Sequence, residues 1–118
     1  MNDNVQFVSA IPVLASLDIL RSVAFFCTHL GFEEEHAEQG AYGIVSSGDI
    51  EIHFWACTDR SISESTSCRV GVIGIEALHE RCCNAGIVHP NAPLASKPWE
   101  TREFAVLDPD GNLITFFE

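Results

Sequence analysis

Two stretches of the chain carry apolar side chains at the spacing of an amphipathic helix. From roughly Asp18 to His29 the apolar positions recur every three or four residues, and Gly31 follows as a residue that can end a helix in the left-handed conformation. From roughly Ile75 to Ala85 the same spacing returns, and Gly86 follows. The pattern therefore predicts two helices, each ended by a glycine.

Alternation of apolar and polar positions predicts strands around these helices. From Ile50 to Trp55 every second residue is a large apolar one, so Glu51 and His53 share the opposite face with Trp55. Phe104–Leu107 and Leu113–Phe117 are short apolar runs on either side of an Asp-Pro-Asp-Gly sequence that is typical of a tight turn. The last two strands are therefore predicted to be antiparallel.

The order of these elements occurs twice. Residues 1–57 run strand, helix, Leu-Gly-Phe and further strands, and residues 68–118 repeat that order with Ala-Gly-Ile after the helix. The stretch between them, 58–67, is polar and rich in serine, which indicates a linker. We therefore expect one α+β domain over residues 1–118, built of two βαβββ modules that form curved mixed sheets.

The net charge of the chain limits the kinds of partner that it can bind. Six Lys and Arg residues stand against 17 Asp and Glu, giving a net charge of −11. Because binding to phosphate needs clustered basic side chains, nucleic acid is excluded as a partner, whereas cations are attracted.

No apolar run is long enough for a membrane span, and the polar start Met-Asn-Asp-Asn has no leader-like segment, so a cytoplasmic protein is expected. The odd count of five cysteines argues against a disulfide framework.

Two motifs carry a resemblance to a known superfamily. The segment Ser22–Phe32, Ser-Val-Ala-Phe-Phe-Cys-Thr-His-Leu-Gly-Phe, resembles the first helix of vicinal oxygen chelate proteins of the glyoxalase/bleomycin-resistance type, with Cys27 in place of a common tyrosine. Phe104–Gly111, Phe-Ala-Val-Leu-Asp-Pro-Asp-Gly, resembles their strand-and-turn signature. The resemblance implies the fold of that superfamily and a homodimer whose paired sheets close into grooves, and it leaves open whether the two chains exchange modules. Its members include metal-dependent enzymes and metal-free drug-binding proteins, so the fold alone does not decide the activity.

The metal ligands of the enzymes in this superfamily are largely missing here. The resemblance puts Ile11, Val70 (with Arg69 beside it) and Thr115 at three ligand positions, and keeps only Glu51. Because the side chains of Ile and Val cannot coordinate a cation, the resemblance implies the metal-free, bleomycin-resistance-like branch. We therefore expect no metal, no cofactor and no catalytic residue.

The residues that remain on the predicted groove suit a flat cation. Trp99 lies in a Pro-flanked loop at a spacing that resembles the ligand-stacking tryptophan of bleomycin-resistance proteins. Aromatic faces beside carboxylates favour planar cationic ligands. The predicted ligand-binding residues are Trp99, Trp55, Glu51, His53, Glu103, Phe117 and Tyr42, the last with no direction fixed by the sequence.

Three functions stay open on the sequence alone. The first is a metal-free binding protein of bleomycin-resistance type that sequesters a planar cationic aromatic molecule in a groove at the dimer interface. The second is an enzyme of the same fold that uses a metal or acid–base chemistry by Glu51 and His53, which share a strand face. The third is an acidic module that binds a basic protein. The missing ligands favour the first, so an enzyme is the less favoured reading.

Overall fold

The chain was analysed as a computed structural model, which describes residues 4–118. The prediction that the chain has no leader falls mainly on residues 1–3, which lie outside the described residues. The elements, in chain order, are β1 (Val13–Ser16), α1 (Ile19–Leu30), β2 (Glu33–Glu38), β3 (Tyr42–Ser47), β4 (Ile50–Ala56), α2 (Arg60–Ser63), β5 (Ser67–Gly71), α3 (Ile75–Asn84), β6 (Ala95–Ser96), β7 (Arg102–Leu107) and β8 (Leu113–Phe117).

The strands form two four-stranded sheets with the same order. Sheet A runs β1-β4-β3-β2 and sheet B runs β5-β8-β7-β6. In each sheet the first strand pairs in parallel with the last strand of its own half, and the other pairs are antiparallel. The predicted α+β class with two βαβββ units in mixed sheets is confirmed.

Local signals in the sequence account for both long helices. At the start of α1 the Asp18 carboxylate accepts a hydrogen bond from the Arg21 backbone N–H at 3.1 Å, and at its end Gly31 adopts φ +75°. The helix α3 ends at Asn84, two residues before Gly86 with φ +71°. Both helices therefore lie within a residue or so of their predicted bounds.

Helices cover one side of each sheet and leave the other side open. On the covered side, Phe26 of α1 packs edge-on against Phe54 of β4, with ring centroids 5.2 Å apart. In sheet B, Phe104 and Phe116 pack together at 5.2 Å beneath α3. We call the uncovered sides the open faces of sheets A and B; the predicted ligand-binding residues other than Trp99 lie in their strands.

A buried polar network joins the two halves through the Asp-Pro-Asp-Gly turn. The Asp110 carboxylate, which is fully buried, accepts hydrogen bonds from Arg21 Nη2 at 2.6 Å and from Ser22 Oγ at 3.0 Å. The Asn112 side chain donates to the Ala15 carbonyl at 2.8 Å. The turn of the second module is thereby tied to β1 and α1 of the first.

The segment 58–67, predicted as the linker, contains a short helix. Asp59 caps α2 by accepting from the Ser61 backbone N–H at 3.0 Å, and the buried Ser63 hydroxyl donates to the Asp110 carbonyl at 2.5 Å. The segment is therefore held against the turn of the second module. In the part of the chain from residue 4 onward, no helix is both long enough and apolar enough to cross a membrane.

Candidate ligand-binding site

The open face of sheet A carries a chain of hydrogen-bonded polar side chains. Cross-strand pairing places Tyr42 of β3 opposite Trp55 of β4, on the same face as His53 and Glu51. The Tyr42 hydroxyl lies 2.9 Å from His53 Nδ1, and His53 Nε2 lies 2.8 Å from Glu51 Oε1. The direction of Tyr42, which the sequence did not fix, is therefore toward His53.

The Glu51 carboxylate, at the end of this series of hydrogen bonds, is not neutralised by a lysine or arginine among residues 4–118. With a neutral ring, His53 donates from Nε2 to Glu51 and accepts the Tyr42 hydroxyl at Nδ1, so every group in the chain is satisfied. The Glu51 side chain is 47% exposed, and among residues 4–118 no lysine or arginine forms an ion pair with it. A cation placed on this face would therefore meet an uncompensated negative charge.

The open face of sheet B is organised around a second carboxylate, Glu103, in a different state. Arg69 of β5 donates from Nη1 to Oε1 at 3.1 Å and from Nη2 to Oε2 at 2.8 Å, a paired arrangement that suits arginine and carboxylate geometry. Thr101 Oγ1 and Trp99 Nε1 donate to Oε2 at 2.6 Å and 2.7 Å. These hydrogen bonds, led by that of Arg69, lower the pKa of Glu103 to about 2. The carboxylate is thus ionised but already neutralised.

Trp99 stands in the tight turn between β6 and β7. The Lys97 backbone N–H donates to the Thr101 carbonyl at 2.7 Å, and Glu100 closes the turn with φ +70°, a conformation that side chains other than glycine seldom adopt. The Trp99 residue is 60% exposed although its indole N–H is engaged. A cavity of about 220 Å³ lies beside the ring and is lined by Ala92, Pro93, Lys97, Trp99, Glu103, Phe104, Ala105, Leu113 and Thr115.

Phe117 completes the open face of sheet B beneath Arg69. The guanidinium carbon of Arg69 lies 4.8 Å from the centre of the Phe117 ring, within the range of a cation–π contact. Gly71 makes room for that ring, since a Cβ at this position would lie 3.0 Å from a Phe117 ring carbon. Phe117 therefore helps to hold Arg69 and lies on the predicted face.

Comparison with known proteins identifies the family. The chain is 36% identical over 126 aligned residues to the bleomycin resistance protein of Geobacillus stearothermophilus, an alignment that covers 92% of this chain and 95% of that protein. The bleomycin resistance protein of Staphylococcus aureus matches with the same identity and coverage. The chain belongs to the bleomycin resistance protein family. No family model matches it.

Solved structures agree with this assignment of the chain to the bleomycin resistance family. The bleomycin-binding protein of Streptomyces verticillus, solved with copper(II)-bleomycin, superposes with a TM-score of 0.84 at 32% identity and covers 95% of this chain, which covers 96% of that one. The bleomycin resistance determinant of transposon Tn5 superposes with a TM-score of 0.79 at 24% identity, covering 95% of this chain and 98% of that one. The second likeness supports the fold alone.

The register of β5 corrects one predicted ligand position. We expected Val70 at the place of a metal ligand, but Val70 is buried against the core, and it is Arg69 that lies opposite Thr115 on the open face. The difference is one residue, which reverses the face in a strand. Arg69 also lines, with Ile11 and Glu51, a cavity of about 260 Å³ between the edges of the two sheets. The lining of this cavity therefore includes one basic residue, Arg69, and two acidic residues, Asp49 and Glu51.

The absence of a bound metal stays a prediction with its own test. In residues 4–118 no group of three or more His, Cys, Asp and Glu side chains is arranged to hold a metal ion. Because Arg69 and Ile11 cannot donate an electron pair to a cation, we expect less than about 0.1 divalent ion per chain in protein purified without chelators. Elemental analysis checks this; about one Zn, Ni, Mn or Fe per chain, lost in a Glu51→Gln variant, would contradict it.

Two residues of the site were missed from the sequence. Arg69 and Thr101 belong to the Glu103 network but were not among the predicted ligand-binding residues. A basic residue in a strand that faces a glutamate on the same predicted face would have been the signal, but it needed the exact register of β5. The structure also places the two tryptophans on different sheets, Trp55 on sheet A and Trp99 beside sheet B.

Proposed function

We propose that this protein binds bleomycin, or a related flat cationic small molecule, and sequesters it without changing it chemically. The observation that carries the proposal is the exposed Trp99 ring, fixed by its N–H over a cavity on an open sheet face. A large exposed aromatic side chain held in one orientation offers a stacking surface at little further entropic cost. Relatives named for bleomycin resistance and bleomycin binding support the choice of ligand.

The charge on sheet A completes the proposed recognition. Glu51 forms no ion pair with a lysine or arginine among residues 4–118, while Glu103 is neutralised by Arg69. We therefore assign the attraction of a cation to Glu51 and the stacking to Trp99. This changes the predicted part of Glu103, which we had expected to attract the ligand directly.

We further propose that the groove forms between two copies of the chain. Each sheet has one open face, and stacking the open face of sheet A on sheet B of a second copy would bring Glu51 and Trp99 to one groove. Exposed apolar side chains support an association: Phe7 is 80% exposed, Val8 83% and Ile73 99%. Such side chains are costly in water unless another surface covers them.

The assembly can be measured directly. In sedimentation equilibrium at micromolar concentration we expect a species of twice the 12.9 kDa chain mass, because a two-fold pairing buries the same surface on both copies. Mixed dimers of a Glu51→Gln copy and a Trp99→Ala copy should regain one intact groove in two if each groove uses both chains. A 12.9 kDa species alone would contradict the dimer.

A titration tests the proposed function itself. We expect saturable binding of bleomycin by calorimetry at about one molecule per chain, with the drug recovered unchanged by mass spectrometry. Turnover of the drug would instead favour an enzyme working through the Tyr42–His53–Glu51 chain. The absence of any small-molecule binding would leave the acidic protein-interaction module. The cytoplasmic location stays a prediction, which cell fractionation checks.

Salt dependence should separate the two parts of binding. We expect Glu51→Gln to weaken bleomycin binding about threefold to fivefold near 0.05 M salt, with little effect near 1 M, because exposed charges interact through water and the Debye length falls to about 3 Å there. Glu80→Gln removes an equal charge from the exposed surface of α3 and serves as the control. Equal effects of the two changes would show that only net charge matters.

A further inference from the structure

Arg69 is not part of the stacking surface proposed for Trp99. It contacts Glu103, the residue whose carboxylate holds the Trp99 indole. It comes from β5, lies 34 positions before Glu103, and makes a hydrogen bond to each oxygen of that carboxylate. Trp99 and Thr101 both donate to Oε2 of the same carboxylate. A single carboxylate thus connects the strand β5 to the turn that carries Trp99.

We propose that Arg69 is a positioning residue that, through Glu103, holds the Trp99 indole in the orientation on which a ligand ring stacks. This inference rests on the proposed function. It assigns the arginine to preparation of the site rather than to contact with the ligand.

The chemistry of the pair explains why an arginine is needed. A hydrogen bond to an ionised acceptor is shorter and about twice as strong as one to a neutral group. Arg69 binds both oxygens of the Glu103 carboxylate and so holds it in one orientation, in which it accepts the indole N–H at 2.7 Å. The Glu103 side chain is 5% exposed, and a buried carboxylate without a cation would be costly.

Arg69 is itself held on two sides. Its guanidinium lies over the Phe117 ring at 4.8 Å while its two Nη atoms are engaged by Glu103. The planar fork of arginine matches the carboxylate in a way that a lysine ammonium cannot. Phe117 therefore supports Arg69, Arg69 holds Glu103, and Glu103 holds Trp99.

The pair also sets the charge beside Trp99. Because Arg69 cancels Glu103, the pair adds no net charge beside the indole. An Arg69→Met change would release a negative charge that draws cations, while it loosens the ring that binds them. A Glu103→Gln change would do the opposite, leaving a positive charge and also weakening the hold on Trp99. The two effects separate with salt, since only the electrostatic one is screened.

The first measurement needs no ligand. The chain has two tryptophans, so a Trp55→Phe background makes Trp99 the sole indole emitter. In that background we expect Arg69→Met to raise acrylamide quenching of Trp99 about twofold and to lower its fluorescence anisotropy, with Arg69→Lys intermediate. The matched control is Arg60→Met, which removes a surface arginine that pairs with Glu64 at 3.1 Å. It should leave both signals unchanged.

The second measurement uses bleomycin as the probe in the otherwise native chain. Near 1 M salt we expect Arg69→Met to weaken binding by about threefold to tenfold, since immobilising one large side chain costs free energy of that order. Near 0.05 M the loss should be smaller, because the freed Glu103 charge attracts the ligand. If Arg69→Met does not fold, Arg69→Lys takes its place, with the same signs and about half the effect.

A carboxyl titration checks the contact between Arg69 and Glu103 on which the positioning role depends. By carbon NMR the Glu103 carboxyl should titrate near pH 2 in the native chain and closer to its ordinary 4.5 in the Arg69 variants.

Unchanged quenching, anisotropy and high-salt affinity in both Arg69 variants would overturn the positioning role. If Trp99→Ala leaves bleomycin affinity unchanged, the proposed function itself is contradicted, and the positioning role is contradicted with it. If Trp99→Ala weakens binding and the Arg69 variants do not, only the positioning role fails.

Discussion

Replacing Trp99 with alanine is expected to weaken bleomycin binding about tenfold. Stacking on an aromatic face contributes about 1 kcal/mol, with more when a cation lies over the ring, and about 1.4 kcal/mol corresponds to a factor of ten. Stability should change little, because the Trp99 side chain is largely exposed and Glu103 keeps its hydrogen bonds to Arg69 and Thr101. Calorimetric titration with bleomycin measures the affinity, and urea unfolding measures the stability.

Two comparisons sharpen this prediction. Trp99→Phe keeps a ring but lacks the N–H that Glu103 accepts, so it should retain part of the affinity and bind more weakly than the native chain. The binding that remains in Trp99→Ala should be the more salt-sensitive part, since it depends mainly on Glu51. An affinity equal to that of the native chain, at both 0.05 M and 1 M salt, would remove Trp99 from the site.

The periodic parts of the fold could be predicted because their signals are local. The apolar spacing of α1, its cap at Asp18 and the glycine at 31 each lie within the element they define. The alternation from Ile50 to Trp55 likewise assigned Glu51 and His53 to one face before any partner strand was known, and that assignment is confirmed by the pairing with β3. The two-fold repetition then predicted two βαβββ modules.

The site was harder to predict because it depends on register and on distant pairs. The resemblance put Val70 at a metal-ligand position, but in the register of β5 it is the neighbouring Arg69 that lies opposite Thr115, so a charged side chain replaces an apolar one there. The neutralisation of Glu103 depends on that same arginine, 34 residues away along the chain. No residue close to Glu103 in the sequence indicated that an arginine neutralises its charge.

The two open-face carboxylates show how similar residues acquire different parts. Both Glu51 and Glu103 point out of a strand toward an open face, and both were predicted to bind the cationic ligand. Glu51 meets a histidine and stays largely exposed, whereas Glu103 meets an arginine, a threonine and an indole N–H and is buried. The first is thus suited to attract a cation and the second to fix an aromatic ring.

The largest effect on stability is expected from Asn112→Ala. The Asn112 side chain is fully buried and donates from Nδ2 to the Ala15 carbonyl and to Asp108 Oδ2, both at 2.8 Å. Its oxygen also accepts the Thr66 hydroxyl. Alanine would leave the buried Ala15 carbonyl, the buried Asp108 carboxylate and the half-buried Thr66 hydroxyl without this partner, which lowers the free energy of unfolding by about 3 kcal/mol. Urea unfolding at a fixed protein concentration measures it, with Asn91→Ala in an exposed loop as the control.

The pH dependence of this loss has a definite sign. Burial raises the pKa of Asp108 above its ordinary 3.8, and the Asn112 amide is the strongest influence holding it down. Without Asn112 the pKa of Asp108 in the folded chain rises further, so the folded state binds more protons than the unfolded state between 3.8 and that raised value. Stability then falls as the pH rises through this window. The deficit of Asn112→Ala should therefore be larger at pH 7 than near pH 4, and a deficit that grows on acidification would contradict the role given to the Asp108–Asn112 pair.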